Sequence, residues 1–380
     1  MTRARYESLD GLRGIAAMTV VIYHFASAYI PSILSQESPR PWFGSDTPLG
    51  VLYNGGFAVS VFFVLSGFVV SNSAAKRQVP TSFNLVQRYF RLAVPCMVST
   101  VLAWAWLTAF PTSVHGLKLV EMHPWLNYVY DGVMPGPITA AVDGAFLTFQ
   151  DGFSDFNGVL WTMQIELYGS CALYIIFGLT EGRLRVAILM ALGLVMTGFG
   201  MPEYTAFALG ALMCEAVAAD RLPKRFGWWA LGFGIVFGSM TEGLGDRLGL
   251  HVPSLIELGE THKVWHVLAA AALLYAVLNL EALKRPLSHR VARFLGRISF
   301  GVYLVHTPLL VTVFAEGYLR FAQHDVAALA ALFVAFLVGV VGLGAIFTVL
   351  VDRPVLWTIR QAQHRVRPPE ILAGGLKPAT

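Results

Sequence analysis

Apolar runs of about 20 residues recur along the whole chain, and they constrain its fold more than any other feature. A membrane-spanning helix needs about 20 mostly apolar residues. The chain of 380 residues is 56% apolar and only 13% charged, whereas soluble domains are about 25% charged. The sequence therefore predicts an all-α, polytopic membrane protein with about ten transmembrane helices, near residues 12–31, 50–72, 92–110, 160–179, 185–201, 204–219, 227–241, 263–280, 298–319 and 326–351.

Basic residues are divided unevenly between the segments that join these windows. With the N-terminus in the cytoplasm, the inner segments carry 22 of the 27 lysine and arginine residues. Because positive residues concentrate in cytoplasmic loops, the pattern predicts that both termini are cytoplasmic. The net charge of +4 then reflects orientation in the lipid bilayer and not nucleic-acid binding.

We expect one membrane domain over residues 1–360 and a disordered cytoplasmic tail over 361–380. A cleaved signal peptide is the alternative for the N-terminus, because Ala26-Ser27-Ala28 has the A-x-A form of a cleavage site. Cleavage there would leave an odd number of spans and put the basic C-terminus outside. The three cysteines have no C-x-x-C spacing, so the sequence predicts neither a disulfide framework nor a metal site.

The longest segment between windows, roughly residues 111–159, is predicted to lie outside. Its aromatic rings could stack on sugars while its carboxylates accept hydrogen bonds from sugar hydroxyls. An equally good interpretation is an interfacial segment with its aromatic rings at headgroup level. The charged and aromatic residues concerned are Lys118, Glu121, Trp125, Tyr128, Tyr130, Asp131, Asp143, Phe149, Asp151, Phe153, Asp155 and Phe156.

Three ionisable residues, His24, Glu166 and His306, fall deep within predicted spans. At about 1.5 Å per residue, all three lie in the same middle slab of the bilayer. Ionisable residues at that depth are costly and mark function, so we interpret them as an acid–base site in which Glu166 orients a histidine. An alternative interpretation of His306 is that its ring only forms a hydrogen bond to neighbouring backbone. An alternative interpretation of the whole protein is a proton-coupled transporter, because such proteins also place ionisable residues within the membrane.

Arg13 and His24 are eleven residues apart, which at 100° per residue is within about 20° of three full turns. Their side chains therefore share one helix face, about 16 Å apart. Arg13 reaches the cytoplasmic surface while His24 reaches the middle of the membrane. The alternative interpretation is that Arg13 is only a snorkelling anchor.

Five motifs in the same order resemble those of the acyltransferase 3 family of integral membrane acyltransferases. They match the family's L-D-G-L-R-G-I-A start with Arg-x10-His spacing, F-F-x-L-S-G-F, R-x-x-R-x-x-P, W-S-L-x-x-E and S-Y-x-x-Y-L-x-H-x-P patterns. In this chain they read SLDGLRGIAAMTVVIYHF (8–25), FFVLSGFVVS (62–71), RYFRLAVP (88–95), WTMQIE (161–166) and SFGVYLVHTP (299–308). The departures are mild, such as Phe300 for the usual tyrosine and VDRP (351–354) where Glu-x-Pro is common.

This resemblance implies an enzyme that transfers an acyl group, commonly acetyl from cytoplasmic acetyl-CoA, to a hydroxyl of an extracytoplasmic acceptor. The acceptor would be a carbohydrate such as exopolysaccharide or lipopolysaccharide, or else a small molecule such as a macrolide. Acyl-CoA is then a co-substrate, and no bound cofactor is expected. The enzyme would lie in the cell membrane, the inner one where there are two, without the SGNH hydrolase-like domain that the family often carries.

The resemblance also gives the motif residues roles. We expect acid–base catalysis by His24, Glu166 and His306, and binding of the acyl-CoA phosphates by Arg13, Arg88 and Arg91. The roles of the two histidines are interchangeable at this stage, and direct transfer and an acyl-enzyme both remain open. Ser66 is a candidate acyl carrier, although a Ser-Gly pair in a membrane helix favours a packing site. Further supporting positions in the motifs are Asp10, Trp161 and Tyr303.

Overall fold

The structure is a computed structural model that describes residues 3–34, 47–76, 78–120, 126, 129, 132, 134–241, 249 and 261–366. Over these residues the fold is all-α, as predicted. The helices are α1 Arg3–Tyr29, α2 Gly55–Ala74, α3 Thr81–Ala109, α4 Ser113–Val120, α5 Pro137–Val142, α6 Thr148–Asp151, α7 Trp161–Leu179, α8 Gly182–Gly198, α9 Pro202–Ala218, α10 Gly227–Gly238, α11 Thr261–Asn279, α12 Glu281–Leu287, α13 Arg290–Leu309, α14 Val326–Phe347 and α15 Arg353–Val366. Helical turns of the π type extend α13 as far as Ala322 and join α14 to α15.

Among the described residues, six helical stretches are long and apolar enough to cross a membrane. A seventh is added if α11 and α12, which meet at 92°, count as one broken span. Each of the ten predicted windows does contain a helix, but α8 and α9 have only 17 residues and α10 only 12. These three are shorter than the roughly 20 residues that a span needs. The protein is a multi-pass membrane protein, while the count of ten and the side of the termini stay predictions.

Part of the predicted disordered tail is helical. Helix α15 continues to Val366, so residues 361–366 are helical. Residues 367–380, where the rest of the disordered tail was predicted, lie outside the described residues.

Much of the predicted outer loop returns along α3 instead. The Trp104 indole donates to the Pro135 carbonyl (2.7 Å), Thr100 Oγ1 donates to Ala140 (2.7 Å), and the Tyr89 hydroxyl donates to Ala145 (2.8 Å). The residue numbers on α3 decrease from 104 to 89 while those of their partners increase from 135 to 145. Residues 135–145 therefore run antiparallel to α3. This part of the chain is therefore helical and packed on α3, whereas the prediction that it lies outside the membrane stays a prediction.

The physical reason is that α5 and its continuation present two apolar surfaces. Ile138, Val142 and Phe146 form an exposed stripe at four-residue spacing, while the other face lies on α3. Asp143 interrupts the apolar run, yet it is buried and accepts a hydrogen bond from Ser154. Phe149 and Phe156 are buried too and offer no face to a sugar. The predicted sugar contacts Glu121, Trp125, Tyr128, Tyr130 and Asp131 lie outside the described residues.

Helices α1 and α13 run parallel and touch at two glycines. A Cβ added to Gly14 would overlap the backbone nitrogen of Gly296, and a Cβ added to Gly296 would overlap the Asp10 carbonyl. Ten residues separate Gly14 from His24, and ten also separate Gly296 from His306. Two parallel helices in register at the glycines are therefore also in register at the histidines.

We predict that Gly14→Ala lowers the free energy of unfolding by about 1–3 kcal/mol, the usual cost of overpacking. The new methyl group must push α1 away from α13. Thermal unfolding of the purified protein in detergent measures the effect. The control is Gly342→Ala on α14, where an added Cβ has open space and alanine only improves helix propensity. Equal melting temperatures for the two variants would contradict the close contact.

Candidate active site

The structure brings His24 and His306 together. Nδ1 of His24 lies 3.1 Å from Nε2 of His306, and the ring centroids are 5.0 Å apart. His306 is completely buried, whereas 9% of His24 is exposed. The two residues that the sequence placed at the same membrane depth thus form a direct pair between α1 and α13.

Backbone carbonyls decide where the protons of this pair lie. Nδ1 of His306 is 2.7 Å from the Tyr303 carbonyl and 3.2 Å from that of Val302. Nδ1 of His24 is 3.0 Å from the Val20 carbonyl. Since a carbonyl can only accept a hydrogen bond, both neutral rings carry their proton on Nδ1. The Nδ1 proton of His24 is then shared between the Val20 carbonyl and Nε2 of His306, and this Nε2 also lies 3.2 Å from the Thr307 hydroxyl. The basic lone pair of His24 is on its Nε2.

A proline fixes the helix that carries His306. Pro308 has no N–H, so the carbonyl of Leu304 loses its partner within α13. That carbonyl instead accepts hydrogen bonds from Ser99 Oγ and Asn157 Nδ2, both at 2.8 Å. The same Asn157 amide also donates to Ser99 Oγ (2.8 Å). The chain between α6 and α7 is thereby attached to α13 two residues before His306.

A cavity of about 550 Å³ opens near these helices, and we call it the arginine cavity. Its most exposed basic residues, Arg13, Arg297 and Arg360, form a mouth contributed by α1, α13 and α15. Its wall includes Arg88 and Arg91 of α3. The other residues used below are Asp10, Phe62, Ser66, Thr162, Met163, Glu166, Phe300, Tyr303 and Asp352.

Both wall arginines are engaged in ion pairs. Arg88 pairs with Glu166, and Arg91 pairs with Asp352, whose side chain is only 7% exposed. Arg91 also lies over the Phe300 ring, with its guanidinium carbon 5.1 Å from the centroid. Pairing and hydrogen bonding are what make buried charges tolerable in a low-dielectric interior.

Glu166 therefore has different partners from those we expected. It accepts hydrogen bonds from Arg88 and from Ser66 Oγ (2.6 Å), whereas His24 lies against His306. The expected orientation of a histidine by Glu166 is replaced by orientation of one histidine by the other. Ser66 lines the arginine cavity. Neither of the two roles predicted for it, acyl carrier or packing site, is therefore excluded by its position.

Along α13, Tyr303 is the lining residue of the arginine cavity that lies farthest from Arg297. Phe62 and Thr162 lie beside it, and we call these three residues the floor. The Tyr303 hydroxyl donates to the Val159 carbonyl (2.9 Å) and lies 2.9 Å from Thr162 Oγ1. On α13, Tyr303 precedes His306 by three residues, which is about 4.5 Å of rise. The histidine pair thus lies one helical turn beyond the floor.

A second, smaller cavity of about 120 Å³ lies near the N-terminal ends of α2, α7, α9 and α11. It shares Val59 and Phe63 with the arginine cavity. Its polar and aromatic lining includes Ser60, Trp161, Glu203, His262, Lys263 and His266. Trp161, a predicted supporting residue, therefore belongs to this cavity and not to the first.

The acyltransferase domain that defines the acyltransferase 3 family matches residues 6–349, which is most of the chain. The chain belongs to the acyltransferase 3 family. Similar proteins include the O-acetyltransferase PaAT-1 of Phomopsis amygdali, 25% identical over 80% of this chain and 72% of that protein. The acyltransferase MdmB of Streptomyces mycarofaciens is 25% identical over 93% and 92%, respectively.

A further relative of this acyltransferase is the O-acetyl transferase of Shigella phage Sf6, 28% identical over 46% of each chain. No solved structure gives a significant match. The family membership confirms the resemblance drawn from the five motifs and establishes the protein as an enzyme of the transferase class.

Sequence reasoning missed several residues at this site. Arg297 and Arg360 are two of the 22 basic residues of the predicted inner segments, and Ser99 and Asn157 lie outside the five motifs. Pro308 is the last residue of the fifth motif, and its missing N–H is the signal that a carbonyl one turn earlier needs a donor from elsewhere in the fold. Asp352 stood in the VDRP segment, but its partner Arg91 lies 261 residues away.

We predict that Arg88→Met lowers the free energy of unfolding by about 3–5 kcal/mol, because it leaves Glu166 charged and without its ion pair. Adding Glu166→Gln should recover most of this loss, since glutamine is neutral and still accepts from Ser66. Thermal unfolding in detergent compares the two variants with Arg183→Met, an exposed control. A double variant no more stable than Arg88→Met would contradict the structural role of the pair.

Proposed function

We propose that this acyltransferase moves an acyl group, specifically acetyl, from cytoplasmic acyl-CoA to a hydroxyl of a carbohydrate across the membrane. The observation that carries the proposal is the His24–His306 pair one helical turn beyond the floor of the arginine cavity. A cationic cavity suits the phosphates of CoA, and a buried imidazole pair suits deprotonation of a hydroxyl.

In this mechanism His24 is the general base. Its Nε2 takes the proton from the acceptor hydroxyl while the hydroxyl oxygen attacks the thioester carbonyl. The C–S bond then breaks, and the departing CoA thiolate takes from His24 the proton that came from the acceptor hydroxyl. General-base catalysis of this kind contributes about 10² to 10⁴ in rate.

His306 acts through His24. Its Nδ1 proton is held by the Tyr303 and Val302 carbonyls, so its Nε2 stays an acceptor facing His24. A hydrogen bond to that acceptor orients the His24 ring and stabilises the imidazolium that forms when His24 takes a proton. This assigns the two histidines roles that the sequence left interchangeable.

The donor enters from the arginine mouth. The rings of Phe62 and Tyr303, with centroids 6.1 Å apart, line the cavity, whereas neither His24 nor His306 does. The thioester therefore reaches His24 only when these floor rings move apart. Movements that gate access to an active site in this way are common in enzymes.

The second cavity supports a separate entrance for the acceptor. Trp161 offers a face on which a sugar ring can stack, and Ser60, Glu203 and Lys263 offer hydrogen-bond partners for hydroxyls. A hydroxyl acceptor agrees with the O-acetyltransferase names of two relatives. A carbohydrate such as exopolysaccharide or lipopolysaccharide is our first candidate.

We predict that His24→Ala lowers acetyl transfer by about 10²- to 10⁴-fold while the protein stays folded. Radiolabelled acetyl-CoA is supplied to membranes that contain the protein and its natural acceptor, and labelled product is counted. The control is His324→Ala, an exposed histidine away from both cavities.

The double variant His24→Ala/His306→Ala should be no slower than His24→Ala, since His306 acts only through His24. A folded His24→Ala protein that transfers acetyl at the wild-type rate would refute the assignment of the base.

We predict that surface glycans of producing cells carry acetyl esters that cells with the His24→Ala protein lack. Mass spectrometry of glycans before and after mild alkaline treatment shows the ester and its position. If the acetyl esters are found on a secreted small molecule instead, the acceptor is not a carbohydrate but a small molecule such as a macrolide.

A further inference from the structure

The five arginines of the arginine cavity are not equivalent. Arg88 and Arg91 are neutralised by Glu166 and Asp352, with side chains 16% and 24% exposed. Arg13, Arg297 and Arg360 stand at the mouth, and Arg297 and Arg360 are exposed. The cavity thus has an outer layer of arginines and an inner layer of ion pairs.

Charge is unevenly spread between these layers. Five arginines and three carboxylates line the cavity, which leaves a net charge of +2. The two inner carboxylates balance the two inner arginines, and the third, Asp10, lies 3.9 Å from Arg13. The excess positive charge is therefore at the mouth, where phosphates of a ligand can stay partly hydrated.

The charges of Arg88 and Arg91 are already neutralised by Glu166 and Asp352, so these guanidinium groups attract a phosphate less strongly than unpaired ones do. Drawing either arginine away from its carboxylate toward a ligand would leave that carboxylate charged in a poorly hydrated wall, which is strongly unfavourable.

Arg297 and Arg360 carry no such penalty, because both are exposed. Arg13 lies 3.9 Å from Asp10, but that pair is partly exposed, so the cost of rearranging it is smaller. A guanidinium can also bind a phosphate by two parallel hydrogen bonds.

We infer that Arg297 and Arg360, together with Arg13, bind the phosphates of the acyl-CoA nucleotide, while Arg88 and Arg91 hold the cavity wall. This rests on the proposed function and names the residues that recognise its donor. It differs from the expectation drawn from the R-x-x-R motif, which assigned the phosphates to Arg88 and Arg91.

Distances along the helices agree with this placement. Arg297 precedes Tyr303 of the floor by six residues, about 9 Å, and His306 by nine, about 13–14 Å. Arg13 precedes His24 by about 16 Å. A nucleotide held at the mouth therefore directs its pantetheine arm inward, with the thioester toward the floor and the histidines.

The experiment measures CoA binding to the purified full-length protein by isothermal titration calorimetry in detergent. Arg297→Ala and Arg360→Ala should each weaken CoA binding about tenfold, as expected for loss of a charge-assisted hydrogen bond. Pantetheine, which lacks the nucleotide and its phosphates, is the second probe. The ratio of the pantetheine Kd to the CoA Kd should fall by the same factor.

Matched controls come from the same helices. Arg290→Ala on α13 and Arg353→Ala on α15 remove exposed arginines that do not line the cavity, and they should keep the wild-type ratio. Melting temperatures confirm that each variant is folded.

Wild-type CoA binding by both Arg297→Ala and Arg360→Ala would overturn the inference and leave the proposed function standing. Equal weakening in the control variants would overturn it too, because it would show a general charge effect. Failure of the wild-type protein to bind CoA and to transfer acetyl from it would instead refute the proposed function.

Discussion

The parallel contact of α1 with α13 is the interaction on which the site depends. Gly14 and Gly296 bring the two backbones together, and the equal ten-residue spacing then places His24 beside His306. Small residues allow this approach because membrane helices associate by van der Waals packing and hydrogen bonds rather than by exclusion of water. One close contact near one end of the helices thus sets the geometry of a pair three turns away.

The polar groups around this contact follow from the cost of leaving them unpaired in a low-dielectric interior. Pro308 exposes a carbonyl, and Ser99 and Asn157 satisfy it. Glu166 and Asp352 are charged, and Arg88 and Arg91 neutralise them. Each pairing joins helices that are distant in sequence, so the same bonds that stabilise the fold also shape the cavity wall and hold α13.

The segment predicted to be a loop shows which part of the secondary structure the sequence did not reveal. Residues 137–151 contain Asp143 and Asp151 and no apolar run of 20 residues, which is typical of a loop. The burial of Asp143 beside Ser154 removes the apparent obstacle, and α3 covers one apolar face while Ile138, Val142 and Phe146 form the other. Such a segment is recognisable only when its partner helix is known, because its length alone does not span a bilayer.

The sequence by itself determined the helical membrane class and the family, and it predicted His24, His306, Arg13 and Glu166 as residues of the candidate site, because apolar runs and motif spacing are local properties of the chain. Only the tertiary structure decided which of these residues meet. In the structure His24 contacts His306, and Glu166 accepts hydrogen bonds from Arg88 and Ser66. The structure also distinguishes the exposed arginines of the mouth from the ion-paired arginines of the wall. Depth in the membrane follows from position along one helix, whereas contact depends on how helices rotate and pack, and that is set by residues far apart in the chain.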